Sequence, residues 1–93
     1  MKIYFVSIMA TAIASMAMTA SASPDGQQLF NSKCTMCHSL DQKKMGPTVK
    51  SMNTDADSLR TSITMGKNMM PAFEKKLSGT EIDALVDYLI ANQ

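Results

Sequence analysis

Cys34-Thr35-Met36-Cys37-His38 reads C-x-x-C-H, in a chain with two cysteines and one histidine in all. Two thiols on one turn of chain can each form a thioether to one vinyl group of the same porphyrin. The imidazole that follows is then held beneath the ring, within reach of an iron. The run is the attachment signature of c-type haem, and it predicts a chain folded around a cofactor rather than around side chains alone. Other readings account for less. A thioredoxin-like dithiol belongs at a strand-to-helix junction, and no strand alternation precedes Cys34. A zinc site commonly needs four protein ligands, and these residues supply three. A disulfide between Cys34 and Cys37 remains open, but it leaves His38 without a role.

Ninety-three residues allow one small domain. Residues 1–22 read as a secretory signal: Lys2 is a short positive start, Ile3 to about Ala14 is apolar, and Ala20-Ser21-Ala22 is an A-x-A cleavage site. A retained membrane anchor is the competing reading, although Ser7, Thr11, Ser15 and Thr19 interrupt a run already short for a span. The remaining domain, 23–93, has about 70 residues and a marginal core unless something staples it. There is no second cysteine pair and no Trp. A covalently held haem would be that staple. Nine basic residues stand against eight acidic ones, with Lys2 the only charge in the leader. This balance excludes a nucleic-acid-binding profile.

Along the domain, Ser23-Pro24-Asp25 predicts a helix start with Ser23 as the cap, and Gly26, Phe30 and Cys34 share one face, widened by Leu29. Gly26 suggests close contact with another helix. Gly46-Pro47 is a turn whose backbone could return under His38. Thr54 to Asp57 reads as a capping box with Thr54 as the cap. The helix after it buries Ala56, Leu59 and Ile63 and ends at Gly66. Ser78 to Glu81 is a second box, with Leu77 and Ile82 as a staple. Ile82, Leu85, Val86, Leu89 and Ile90 then give the strongest helical period in the chain.

With His38 the only histidine, one chain cannot supply two imidazoles to an iron. A methionine thioether is the plausible sixth ligand. Of ten methionines, most read as packing or leader residues, and Met1, Met9, Met16 and Met18 fall in the leader. Met69 and Met70 lie in an extended loop before Pro71, and adjacent residues in extended chain point opposite ways, so one of the two faces the iron.

From Gly26 onward the order of motifs resembles the small bacterial class I cytochromes c. The matching residues are Gly26, Phe30 and Cys34 through His38, then Gly46-Pro47, Met70-Pro71-Ala72-Phe73, and Leu77 through Leu89. The resemblance implies an all-α cytochrome c fold, three main helices around one covalent haem c. It selects Met70 as the distal ligand beside His38, and it makes the Pro47 carbonyl the acceptor of a hydrogen bond from that histidine. Gly26, Phe30 and Tyr88 match the contact between first and last helices. Trp, which larger relatives place near a propionate, is missing. The implied function is soluble one-electron transfer, without enzymatic activity, in a periplasmic compartment, since bacterial c-type haem is attached outside the cytoplasm.

Two alternatives stand beside it. One is a haem protein that reacts with small ligands or peroxide, and the other is a haem subunit of a larger oxidoreductase. No distal His or Arg offers itself for peroxidase chemistry. Lys33, Lys43, Lys44 and Lys67 flank the attachment turn and the methionine loop, with Lys75 and Lys76 close behind. They predict a basic ring that docks an acidic redox partner. Ordinary solvated surface is the plainer account of the same residues.

Overall fold

In the computed structural model of the chain, residues 23–93 are described, together with Lys2, Ile3 and Thr11; the rest of the expected leader lies outside the described residues. Three α-helices follow in order: α1, Gly26–Lys33; α2, Ala56–Met65; and α3, Gly79–Ala91. A single 3₁₀ turn, Val49–Ser51, lies between the first two. Among the described residues the only β pairing is one isolated bridge between Lys67 and Met70. The all-α expectation therefore holds.

Each helix starts on a polar cap, but two of the caps differ from the sequence reading. α1 is capped by Asp25, not Ser23: the Asp25 carboxylate accepts from the backbone of Gln27 at 3.0 Å and of Gln28 at 3.4 Å. A carboxylate serves two amides and also complements the positive helix end, which a hydroxyl does less well. α2 is capped by Asp55, not Thr54. Asn53 accepts from the Asp55 amide, and the Asp55 carboxylate then takes both the N–H and the hydroxyl of Ser58. The turn made by Asn53 delivers Asp55 to the capping position one residue later than the box pattern suggests. At α3 the expected box is complete, with Ser78 and Glu81 bonded reciprocally.

α3 is the shared element. It packs against both α1 and α2 and buries Ile82, Leu85, Val86 and Leu89. Ile90, expected on the same face, lies at its margin and is 40% exposed. The crossing with α1 is close because Gly26 permits it: a Cβ there would sit 2.8 Å from the Tyr88 Cβ and closer still to the Ala84 carbonyl. One turn along, Phe30 and Tyr88 meet with ring centroids 5.4 Å apart. α2 contributes Leu59 and Ile63, and it is tied to α3 by Arg60, whose Nε donates to Asp83 at 2.7 Å while Nη1 donates to Asp57. Both carboxylates hold the guanidinium charge in place and push its pKa up. Val49 from the 3₁₀ turn, with Phe73 and Leu77 before α3, completes the apolar cluster.

Candidate haem site

α1 runs directly into the attachment turn. The Cys34 amide still bonds to the Phe30 carbonyl at 2.9 Å. The Cys34 carbonyl then accepts from both the Cys37 and His38 amides, at 3.1 and 2.9 Å. One tight turn thus carries both thiols and the imidazole. Cys34 and Cys37 are unbridged and partly buried. Burial, with Cys37 alongside, pushes the Cys34 thiol up to about 11. A helix, α1, leads into Cys34 where a thioredoxin-like dithiol follows a strand, which disfavours that reading. No cluster of three or more His, Cys, Asp or Glu suited to a metal ion occurs among the described residues, which disfavours the zinc reading.

The chain after His38 folds back beneath it. The Gly46 amide donates to the Cys37 carbonyl at 2.8 Å, and Val49 donates to Ser39 at 2.9 Å. This brings Pro47 to the histidine, where its carbonyl oxygen lies 2.8 Å from His38 Nδ1. A carbonyl only accepts, so Nδ1 carries the proton and Nε2 keeps its lone pair for a metal. His38 is 9% exposed. Gly46 lies flat against the ring: a Cβ there would stand 2.6 Å from Nδ1 and even closer to Cε1. Sequence reading marked Gly46-Pro47 as a turn near the histidine but missed that the glycine is required by the ring itself.

The methionine loop leaves α2 through Gly66, at φ +76°, which a side chain would strain. Lys67 and Met70 exchange both backbone hydrogen bonds, at 3.1 and 2.9 Å, across an Asn68-Met69 turn. Phe73 and Glu74 then pair back to the carbonyls of Ile63 and Thr64. The loop is therefore pinned to the end of α2. Within it Met70 is half-buried and packs against the apolar cluster, while Met69 projects into solvent.

Lys33, Lys43, Lys44, Lys67, Lys75 and Lys76 are all exposed. Lys44 is nonetheless tethered, its Nζ donating to the Thr35 carbonyl inside the attachment turn at 2.7 Å. Lys76 lies over the Phe73 ring, 5.6 Å from its centroid. A cavity of about 390 Å³ between α2 and α3, lined by Arg60, Leu77 and Asp83, contains none of the haem-binding candidates.

The residues fit a covalent haem. Two free thiols share one turn with an imidazole whose outer nitrogen is already committed to a carbonyl, and the backbone behind that imidazole is cleared of side chains. Cys34 and Cys37 would hold the porphyrin through thioethers and His38 would reach the iron. The haem supplies one-electron chemistry, and the chain supplies attachment, orientation and exclusion of water. These features define a c-type haem protein. Residues 21–89 match the family described as cytochrome C oxidase, cbb3-type, subunit III, and the chain belongs to this family of c-type cytochromes. Similar proteins include cytochrome c6 of Diacronema lutheri, 29% identical over 76 residues that cover 72% of this chain and 92% of that protein. Cytochrome c6 of Petalonia fascia is 30% identical over 76 residues, 72% and 88% of the two chains. Cytochrome c6 of Microcystis aeruginosa is 29% identical over 75 residues, 72% and 93%. The chain is a small class I cytochrome c, with covalent haem c as its cofactor and electron transfer as its function.

Proposed function

We propose that this cytochrome is an exported, soluble carrier whose iron is held between His38 and Met70, and that it passes electrons through an exposed haem edge to an acidic partner. The observation that carries the ligand assignment is the contrast between neighbours. Met70 is fixed by paired backbone bonds and half-buried against the core, and Met69 is 83% exposed. Two permanent axial ligands keep the iron's surroundings nearly unchanged between oxidation states, which suits a carrier rather than an enzyme. Arg60, the one arginine, is held by Asp57 and Asp83, so it offers no free guanidinium for peroxide chemistry. Removal of residues 1–22 would release the domain 23–93 into the periplasm. Among the described residues no helix is long and apolar enough to cross a membrane.

Met70→Ala should abolish the sulfur–iron absorption band and open the ferrous iron to carbon monoxide, and Met69→Ala should leave both nearly unchanged. The reverse pattern would move the ligand by one residue. Intact mass of protein from an exporting, haem-maturing host should equal residues 23–93 plus one haem, and a mass retaining 1–22 would favour an anchor.

The matching family's description supports a second reading, a haem subunit of a larger oxidoreductase. It predicts that the protein leaves its native host bound in a membrane complex. Recovery as free protein from a periplasmic extract supports the soluble carrier.

A further inference from the structure

Six methionines follow the expected leader, and the structure does not use most of them for packing. Met36 is 87% exposed, Met69 83%, Met45 71% and Met65 70%. Met52 and Met70 are half-buried and pack against the apolar cluster. Leader and packing together account for six of the ten methionines, and the four exposed ones are what remain. A thioether in water gains no apolar burial, but it keeps a sulfur that an oxidant can reach. Met36 and Met45 lie in and just after the turn that carries the proximal ligand. Met69 is adjacent in sequence to the residue assigned as the distal one, and Met65 ends the helix to which that loop is pinned.

We propose that Met36, Met45, Met65 and Met69 are sacrificial oxidation sites that consume peroxide before it reaches Met70. Each sulfur gives an electron pair to one peroxide oxygen. The S–O bond forms as the O–O bond breaks, and hydroxide leaves and takes the remaining proton as water. The thioether is oxidised to the sulfoxide and hydrogen peroxide is reduced to water, with no further reactant. Susceptibility follows exposure, and here exposure separates the four from the two. None of the four belongs to the buried or partly buried residues of the apolar cluster. Oxidation at Met70 would put a polar oxygen beside that cluster and remove the thioether the iron requires. The proposal that Met70 is what they shield rests on the His38/Met70 reading; the order of oxidation does not. Protection by consumption operates only while oxidant is limiting, which sets the conditions of the test.

The haem-loaded protein is treated with hydrogen peroxide in steps up to one equivalent per exposed methionine. The reaction is quenched with catalase, and sulfoxides are mapped by peptide mass spectrometry beside the visible spectrum. Sulfoxide should accumulate at Met36, Met45, Met65 and Met69 while Met52 and Met70 stay reduced and the sulfur–iron band is retained. In a variant carrying Met36→Leu, Met45→Leu, Met65→Leu and Met69→Leu, which keeps apolar bulk on the surface, the same dose should oxidise Met70 and abolish the band. Met70 sulfoxide appearing as early as the other four, haem bleaching ahead of any sulfoxide, or equal Met70 loss in variant and wild type would each overturn the proposal. If the variant's Met70 is oxidised while the band persists, the scavenging stands and the ligand assignment is what fails.

Discussion

At the residue scale, the site depends on a few atoms whose roles follow from what they can and cannot donate. The Pro47 carbonyl fixes His38 by accepting from Nδ1, and Gly46 keeps the ring's flank clear. Gly46→Ala would set a methyl against the imidazole, so either the ring tilts or the loop moves. The expected cost is about 1–3 kcal/mol of stability, read as a lower Tm of the haem-loaded protein together with a shifted reduction potential. An unchanged potential would mean that the ring keeps its orientation and only the loop gives. The cysteines, the histidine and their cofactor were legible from the spacing of Cys34, Cys37 and His38 alone, because attachment is a local geometric requirement. The packing of Gly46 on the ring was not. Gly46 lies eight residues beyond His38, and no short-range pattern encodes a contact made by folding back.

At the element scale, periodicity located all three helices, since burial of one face repeats along the chain wherever a helix packs. The capping patterns placed the first two starts wrongly. Serine, threonine and aspartate all make caps, and the choice among them at Ser23 or Asp25, and at Thr54 or Asp55, was decided by the turn leading in rather than by the helix. Asp55 gives a pH test. Its carboxyl is held below the ordinary 3.8 by hydrogen bonds from the Ser58 side chain and backbone. A depressed folded pKa contributes stability that is present above the ordinary value and is lost as pH falls through the depressed one. Tm should therefore drop more steeply in acid below pH 3.8 for wild type than for Asp55→Asn, which keeps a capping oxygen but has no proton to gain. Parallel acid profiles would show that the ionisation of Asp55 does not contribute to stability. At α3, Ser78→Ala should cost about 1 kcal/mol by denaturant unfolding of the haem-loaded protein. At the α1–α3 crossing, Gly26→Leu should cost about 1–3 kcal/mol by overpacking. An unperturbed Gly26→Leu would mean the helices separate without penalty.

At the scale of the whole molecule, about 70 residues without a disulfide bury too little apolar area to offset the ordering of the chain, so the haem should serve as core. Replacing both Cys34 and Cys37 with Ala should leave little fixed structure by circular dichroism, and a cooperative thermal transition in that haem-free variant would contradict this. The charge pattern also belongs to this scale. Lys43 and Lys67 are exposed and free to meet a partner, while Lys44 is engaged with the Thr35 carbonyl. The engagement of Lys44 was not legible in sequence, because a long flexible side chain can reach a backbone oxygen nine residues away. Lys43→Glu with Lys67→Glu should slow electron transfer to an acidic partner at low salt. It should also flatten the decline of rate with salt, because screening over about 8–10 Å at physiological ionic strength removes what the lysines add. A wild-type rate indifferent to salt would make docking apolar. Whether one haem iron is held by both His38 and Met70 can be read from the visible spectrum of the purified protein. Oxidised protein should show the sulfur–iron band, and reduced protein should keep the same spectrum under carbon monoxide. A missing band, or a reduced spectrum that shifts on adding carbon monoxide, would show an open iron and contradict the account.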